Sequence, residues 1–249
     1  MITIYARKDL GYRRGKMIAQ ASHALMKLIL QSLKFENNVL LASSKTHSNL
    51  SKVLLSRDSV EIVWVDSKEA LEAIEIVHPK YCASIIDNGK TESNGIPTLT
   101  CLAVDNSRSL KKVREVTFSK NSYNTKQHLI VNKSVSNNKE SQMAIGAKTS
   151  CYALFFGLQG NDKDGYKLDL NKEVNANLSD WLNGAFAKIG LKITDQMDSY
   201  TSYGQAGLKG IASFHSAHSI QHDLHPLITA IGPASVEELE GVSNHFSLY

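Results

Sequence analysis

The chain is expected to fold as an α/β protein. The unit is a small mixed four-stranded sheet with helices on its faces, three-layer-like, present twice in tandem with the second copy shortened. Three observations predict this. Short β-branched runs alternate with amphipathic stretches through residues 1–120, part of that order returns after residue 150, and a segment rich in Asn, Ser and Lys lies between.

The first half reads element by element. ITIYA is a strand, and a helix follows from about Gly15 to Leu33. SNLSKVLLS adds helical turns before VEIVWV, a second strand. SKEALEAIEIVH is a helix with Ser67 as its N-cap, since a serine oxygen there accepts from a first-turn N–H. CASIID and TLTCLAV are strands, and SRSLKKVREVTF is a closing helix opened by Asn106 or Ser107. In the second half YALFFGL is a strand, NLSDWLNGAFAKIG a helix stopped at Gly190, and LKITDQM and LITAIG are strands. PASVEELEGVSNHF is a last helix with Pro233 near its start and acids in its first turn. The expected domains are therefore 1–120, a polar linker at 121–149 in which QHLIV could form a short strand, and 150–249.

Composition narrows the function classes. The 249 residues are 42% hydrophobic and 21% charged, ordinary for a globular protein. The longest apolar run, Ala24–Leu30, is broken by Lys27, so neither a membrane span nor a signal peptide is expected. Cys82, Cys101 and Cys151 are far apart in apolar runs and read as buried thiols of a reducing, cytoplasmic compartment. Charge is segregated: residues 1–120 hold 18 Lys+Arg against 12 Asp+Glu, residues 150–249 hold 6 against 11, and every arginine lies at or before Arg114. A polyanion would meet its electrostatic footprint in the first half and repulsion from the second.

The stretch GKMIAQASHA (15–24) opens a helix after a basic turn, Tyr12-Arg13-Arg14. Lys16, Gln20 and His23 share one face at helical spacing, a polar face where a core helix would be apolar. A lysine beside unpaired helix N–H groups suits an anion such as phosphate; a solvated helix face is the plain alternative. Asp87, at a strand end before Asn88-Gly89, is a turn former or a functional carboxylate.

These pieces together resemble the archaeal and eukaryotic type of peptidyl-tRNA hydrolase. GKMIAQASHA (15–24), IIDNGKT (85–91) and GIPTLTCLAV (95–104) stand in the family's order over about residues 1–118. The resemblance implies hydrolysis of the ester joining a peptide, or an N-blocked amino acid, to the 3′ ribose of tRNA. It needs no cofactor and no metal, and its partner is the acceptor end of tRNA. Carried over position by position, it makes His23, Asp87 and Thr98 catalytic. Asp87 would direct water at the ester, directly or through His23, and Thr98 would offer an oxyanion or substrate hydrogen bond. Arg13, Arg14, Lys16, Gln20, Ser22, Lys90 and Thr91 would bind substrate. Lys90 stands where arginine is usual, keeping charge but losing the bidentate fork.

The family's G-P turn is missing from the first copy and returns in the second as AIGPAS (230–235), with a similar tail in NHFSLY (244–249). The second copy aligns Asp198 with Asp87 and Leu227 with Thr98, and has no counterpart of Lys16, Gln20 or His23. It is therefore expected to be catalytically dead, packing on the first copy so that a monomer acts as an intramolecular pseudo-dimer. Two other readings stay open. The fold could serve only to bind tRNA or a protein. The cluster His215, His218, His222 and His225 could hold a metal if a helix put His218 and His222 on one face, with a polar surface loop as the alternative.

Overall fold

The computed structural model describes residues 1–89, 92, 94–119, 124–220 and 223–249; for 217–220, 223 and 224 it describes the backbone. In the first half the order is β1 (Ile2–Arg7), α1 (Arg14–Ser32), the hairpin β2 (Lys34–Glu36) and β3 (Val39–Ala42), and α2 (Ser44–Leu55). Then come β4 (Val60–Val65), α3 (Lys68–Val77), β5 (Cys82–Asp87) and β6 (Thr98–Asp105). The second half runs β7 (Thr125–Asn132), α4 (Lys139–Ser150), α5 (Tyr152–Gly157), the hairpin β8 (Gln159–Asn161) and β9 (Gly165–Asp169), and α6 (Ala176–Asn183). It closes with β10 (Ala187–Ile193), α7 (Gln196–Leu208), β11 (Ser213–Ile220), β12 (Asp223–Ser235) and β13 (Ser247–Leu248).

Four of the helices, α2, α3, α4 and α7, start where small polar side chains satisfy free N–H groups. Ser43 accepts from Thr46, Ser67 from Ala70, Asn138 from Ser141 and Asp195 from Met197. In the first sheet, of order β4-β1-β6-β5, β1 runs parallel to β4 and antiparallel to β6. The second sheet, β11-β12-β7-β10-β13, contains the same course: β7 runs parallel to β10 and antiparallel to β12, which pairs antiparallel with β11. Even the irregularity is shared, between Ile85 and Ile86 in β5 and between Ser216 and Ala217 in β11. A third sheet, β2-β3-β9-β8, joins a hairpin from each half through β3 and β9.

α1 packs on the first sheet and reaches β10; α4 packs on the second sheet and reaches β4. The two helices also touch each other, Gly146 of α4 admitting Ile18 of α1. One apolar core results, running from Ile2, Ile4, Met17 and Leu25 to Met143, Leu154, Trp181 and Phe186. α3 and α7 cover the outer faces with smaller clusters around Leu71 and Leu102, and around Ile193 and Ala206. The three cysteines are buried and unpaired, and no described helix is long and apolar enough to cross a membrane.

Several expectations need correction. Of the polar linker expected at 121–149, the described residues 124–149 are no linker: β7 is an inner strand of the second sheet, and α4 is half of the central helix layer. YALFFGL is a helix, α5, not a strand, and the second half has a long helix of its own, α4, which precedes it. The helix read as running to Gly190 stops at Asn183, and Gly190 lies inside β10. SRSLKKVREVTF is no helix. Asp105 accepts from the N–H groups of Ser107, Ser109 and Leu110, and the N–H groups of Val113 and Arg114 go to Gln31 at the end of α1. Backbone donors committed elsewhere cannot build an i to i−4 ladder. PASVEELEGVSNHF likewise continues β12 to Ser235 and then turns.

The core holds an imidazole that makes folding pH-sensitive. His128 of β7 is buried, its Nδ1 2.8 Å from Ser243 Oγ, and loss of hydration with help from Lys126 lowers its pKa from 6.5 to about 4. The unfolded chain takes up this proton near pH 6.5 and the folded chain only near 4. Stability is therefore full above pH 6.5 and is lost as pH falls toward 4, by roughly 3 kcal/mol. Melting temperatures from pH 7 to 4.5 should show the fall, and His128→Asn should flatten it. A variant that loses as much would assign the loss to other groups.

Candidate active site

Where α1 leaves the basic turn, its first two turns face the end of β5. Lys16 reaches across and forms an ion pair with Asp87 Oδ2. The amide of Gln20, one turn on, donates to the same oxygen at 3.4 Å. Asp87 Oδ1 accepts from the Gly89 N–H at 3.1 Å. The two oxygens of the carboxylate thus face different ways: one holds the Asn-Gly turn, the other faces the helix. Gly89 has φ +74°, and a Cβ there would lie 2.6 Å from the backbone of Ile96, so the turn requires glycine.

Beside this network lies a cavity of about 340 Å³, lined by Lys16, Gln20, His23, Asp87 and Asn88 from the first half. Phe118 and Ser119 continue the wall, and Lys126, Ala187, Lys188 and Ile189 close it from the second half. His23 sits on the rings of Phe118 and Phe186, at 6.2 and 5.3 Å between centroids. Burial, with Lys188 and Lys16 nearby, holds its pKa well below 6.5, so the imidazole is neutral. No hydrogen bond joins His23 to Asp87 among the described residues; the contact of His23 Nδ1 is Lys188 Nζ, at 3.5 Å.

Lys188 is 8% exposed, its Nζ 3.3 Å from the ring centroid of Phe186 and 4.4 Å from that of Trp181. The ring faces favour an ammonium by about 0.5–2 kcal/mol, less than full burial takes away. The balance leaves its pKa well below 10.5, desolvation being the main cause.

Not every expected residue meets the cavity. Ser22 is buried, and its hydroxyl donates to Ile18 O of its own helix, so it faces the core. Thr98 pairs with Asp87 in the sheet register, but its hydroxyl donates to Ile96 O. The threonine that joins the network is Thr100, which donates to Gln20 Oε1 at 3.0 Å and so fixes the amide that Asp87 receives. Arg13 pairs with Glu92 beside an adjoining cavity of about 290 Å³. Arg14 donates to Asn137 O and the Tyr249 hydroxyl, a link between the halves rather than an open cation. Lys90 and Thr91 lie outside the described residues.

The histidine and second-copy expectations also change. His215 and His225 lie on the paired strands β11 and β12, so no helix sets a metal-ligand spacing, and His222 lies outside the described residues. Among the described residues no group of three or more His, Cys, Asp or Glu could hold a metal ion. Asp198 lies on α7. In the second sheet it is His218 and His225 that pair just past the shared irregularity, where Asp87 and Thr98 pair in the first. Leu227 is not in Thr98's place.

Fold and cavity define a mixed α/β protein with a carboxylate held by lysine and amide at a strand end, facing an uncharged histidine. The family model described as Peptidyl-tRNA hydrolase PTH2 matches residues 1–118, the half that supplies this carboxylate, lysine, amide and imidazole. No curated protein matches the chain.

Proposed function

We propose that the chain hydrolyses the ester of peptidyl-tRNA, or of N-blocked aminoacyl-tRNA, and releases free tRNA. One observation carries this reading. Lys16 and Gln20 on α1 and Asp87 on β5, named separately by motif, meet on one carboxylate at the edge of one cavity. In this reading Asp87 orients a water toward the acyl carbonyl carbon. The water oxygen bonds that carbon, the C–O bond to the 3′ ribose breaks, and the leaving oxygen gains a proton. His23, neutral and without a carboxylate partner, takes the proton of the water. Lys16 and Arg13 hold the phosphates of the acceptor end, which position the substrate without reading sequence.

The repeated strand course supports a tandem origin, in which residues 124–249 are a degenerate second copy, catalytically silent and paired with the first as two subunits would pair. The first unit then ends near residue 120, and the chain acts as a monomer. Translation, in the cytoplasm, is the process it would serve.

The decisive assay is hydrolysis of N-acetyl-aminoacyl-tRNA by the purified full chain, with and without chelator. Release of the N-acetyl-amino acid, equal in both, is expected. tRNA binding without release would leave a binding module. Activity lost to chelator and restored by zinc would return the histidine-rich strands as a metal site.

A further inference from the structure

We propose that Lys188, from the second half, is a positioning residue for the first half's site: the lone pair of its amine accepts a hydrogen bond from the Nδ1–H of His23, which keeps the ring's one proton on Nδ1 and leaves Nε2 bare toward the cavity. The inference deepens the ester-hydrolase reading and rests on it for its catalytic meaning.

Lys188 Nζ is buried, and among the described residues it has no carboxylate partner. Its surroundings are two aromatic faces and one imidazole nitrogen. The other charged groups on the cavity are Lys16 on α1, Lys126 on β7 and Asp87 on β5, and the Asp87 carboxylate is paired with Lys16 rather than with Lys188. Cys151, at the end of α4, could offer the opposite sign, but burial pushes its pKa up to about 12 and it stays a thiol. No carboxylate holds an ammonium there, the two ring faces return less than burial takes away, and the lowered pKa agrees. A neutral amine has two N–H groups and one lone pair. Ring faces attract N–H and repel lone pairs, so with Phe186 and Trp181 on two sides the lone pair is left for His23.

A histidine whose Nδ1–H is fixed by an acceptor presents the other nitrogen as a base, the role an orienting carboxylate plays in hydrolytic triads. Asp87 does not fill that role here: among the described residues no hydrogen bond joins it to His23, and its oxygens meet Lys16, Gln20 and the Gly89 N–H instead. The second half would then be silent in chemistry of its own, yet required for the first half's.

The test uses the full chain and nitrogen-15 NMR of the His23 ring, which separates the two neutral tautomers. Wild type should show protonated Nδ1 and bare Nε2. Lys188→Met, which suits the aromatic box but accepts no such bond, should lose that preference. Its kcat should fall about 100-fold with KM changed less than about threefold. Lys188→Gln, whose amide oxygen can accept, should keep the tautomer and recover most of kcat. A wild-type ring protonated on Nε2, or a tautomer indifferent to Lys188→Met, overturns the proposal. Should Lys188→Met not fold, the wild-type and Lys188→Gln spectra still decide. The spectra need no substrate, so an inactive wild type would sink the ester-hydrolase reading and leave the tautomer assignment standing.

Discussion

Asp87→Asn should lower kcat for hydrolysis of N-acetyl-aminoacyl-tRNA by about 10²–10³-fold while tRNA affinity stays within about twofold. The substitution keeps one oxygen, which can still accept from the Gly89 N–H, so the Asn-Gly turn and β5 should survive. What it removes is the charged oxygen that meets Lys16 and Gln20. An amide there can neither draw in a water's proton nor hold the water's orientation as a carboxylate does. No cation is lost, and Lys16 is freed from its ion pair, so the phosphates of tRNA lose nothing. Filter binding and single-turnover hydrolysis on the same preparation separate the two quantities. Wild-type turnover would show that another group directs the water. Parallel loss of binding and turnover would make Asp87 a structural residue of the turn.

The site was legible to the extent that its residues lie on one regular element or in one short motif. Lys16, Gln20 and His23 share a helical face that can be counted from sequence, and the structure puts all three on the cavity. Ser22 stands beside them in the motif, but a helix turns about 100° per residue, and that rotation sends its hydroxyl into the core. Thr100 could have been suspected: it lies two residues from Thr98, on the same face of one strand. Lys188 could not, because its contact with His23 spans 165 residues. The second half is less legible for a local reason. YALFFGL suits a buried helix as well as a strand, and its period cannot choose. Reading it as the second half's first strand leaves β7, which holds in the second sheet the place that β1 holds in the first, inside the expected linker. Gly190 looks like a helix stop in sequence, but its meaning is tertiary.

That glycine carries the second large effect: Gly190→Ala should destabilise the fold by about 3 kcal/mol or more, lowering the melting temperature by roughly 6–12 °C. A Cβ at Gly190 would lie 2.5 Å from Gly15 Cα and 2.8 Å from Gly15 O. Reciprocally, a Cβ at Gly15 would lie 2.7 Å from Tyr249 O and 3.0 Å from Gly190 O. The first turn of α1 thus meets the middle of β10 backbone to backbone, where no rotamer change can make room. The strand and the helix must move apart, and the core that runs through both halves must open with them. Lys188 is two residues away on the same strand, so its contact with His23 should weaken and kcat should fall with stability. Gly204→Ala is the control. It lies in α7 with nothing near its would-be Cβ, and should gain about 1 kcal/mol from helix propensity. Light scattering completes the test. The wild-type chain should size as a 27.4 kDa monomer, and Gly190→Ala should associate through the apolar faces that the halves otherwise hide from one another. If Gly190→Ala melts with wild type and stays monomeric, the halves do not meet at this contact, and the pairing proposed for them is wrong.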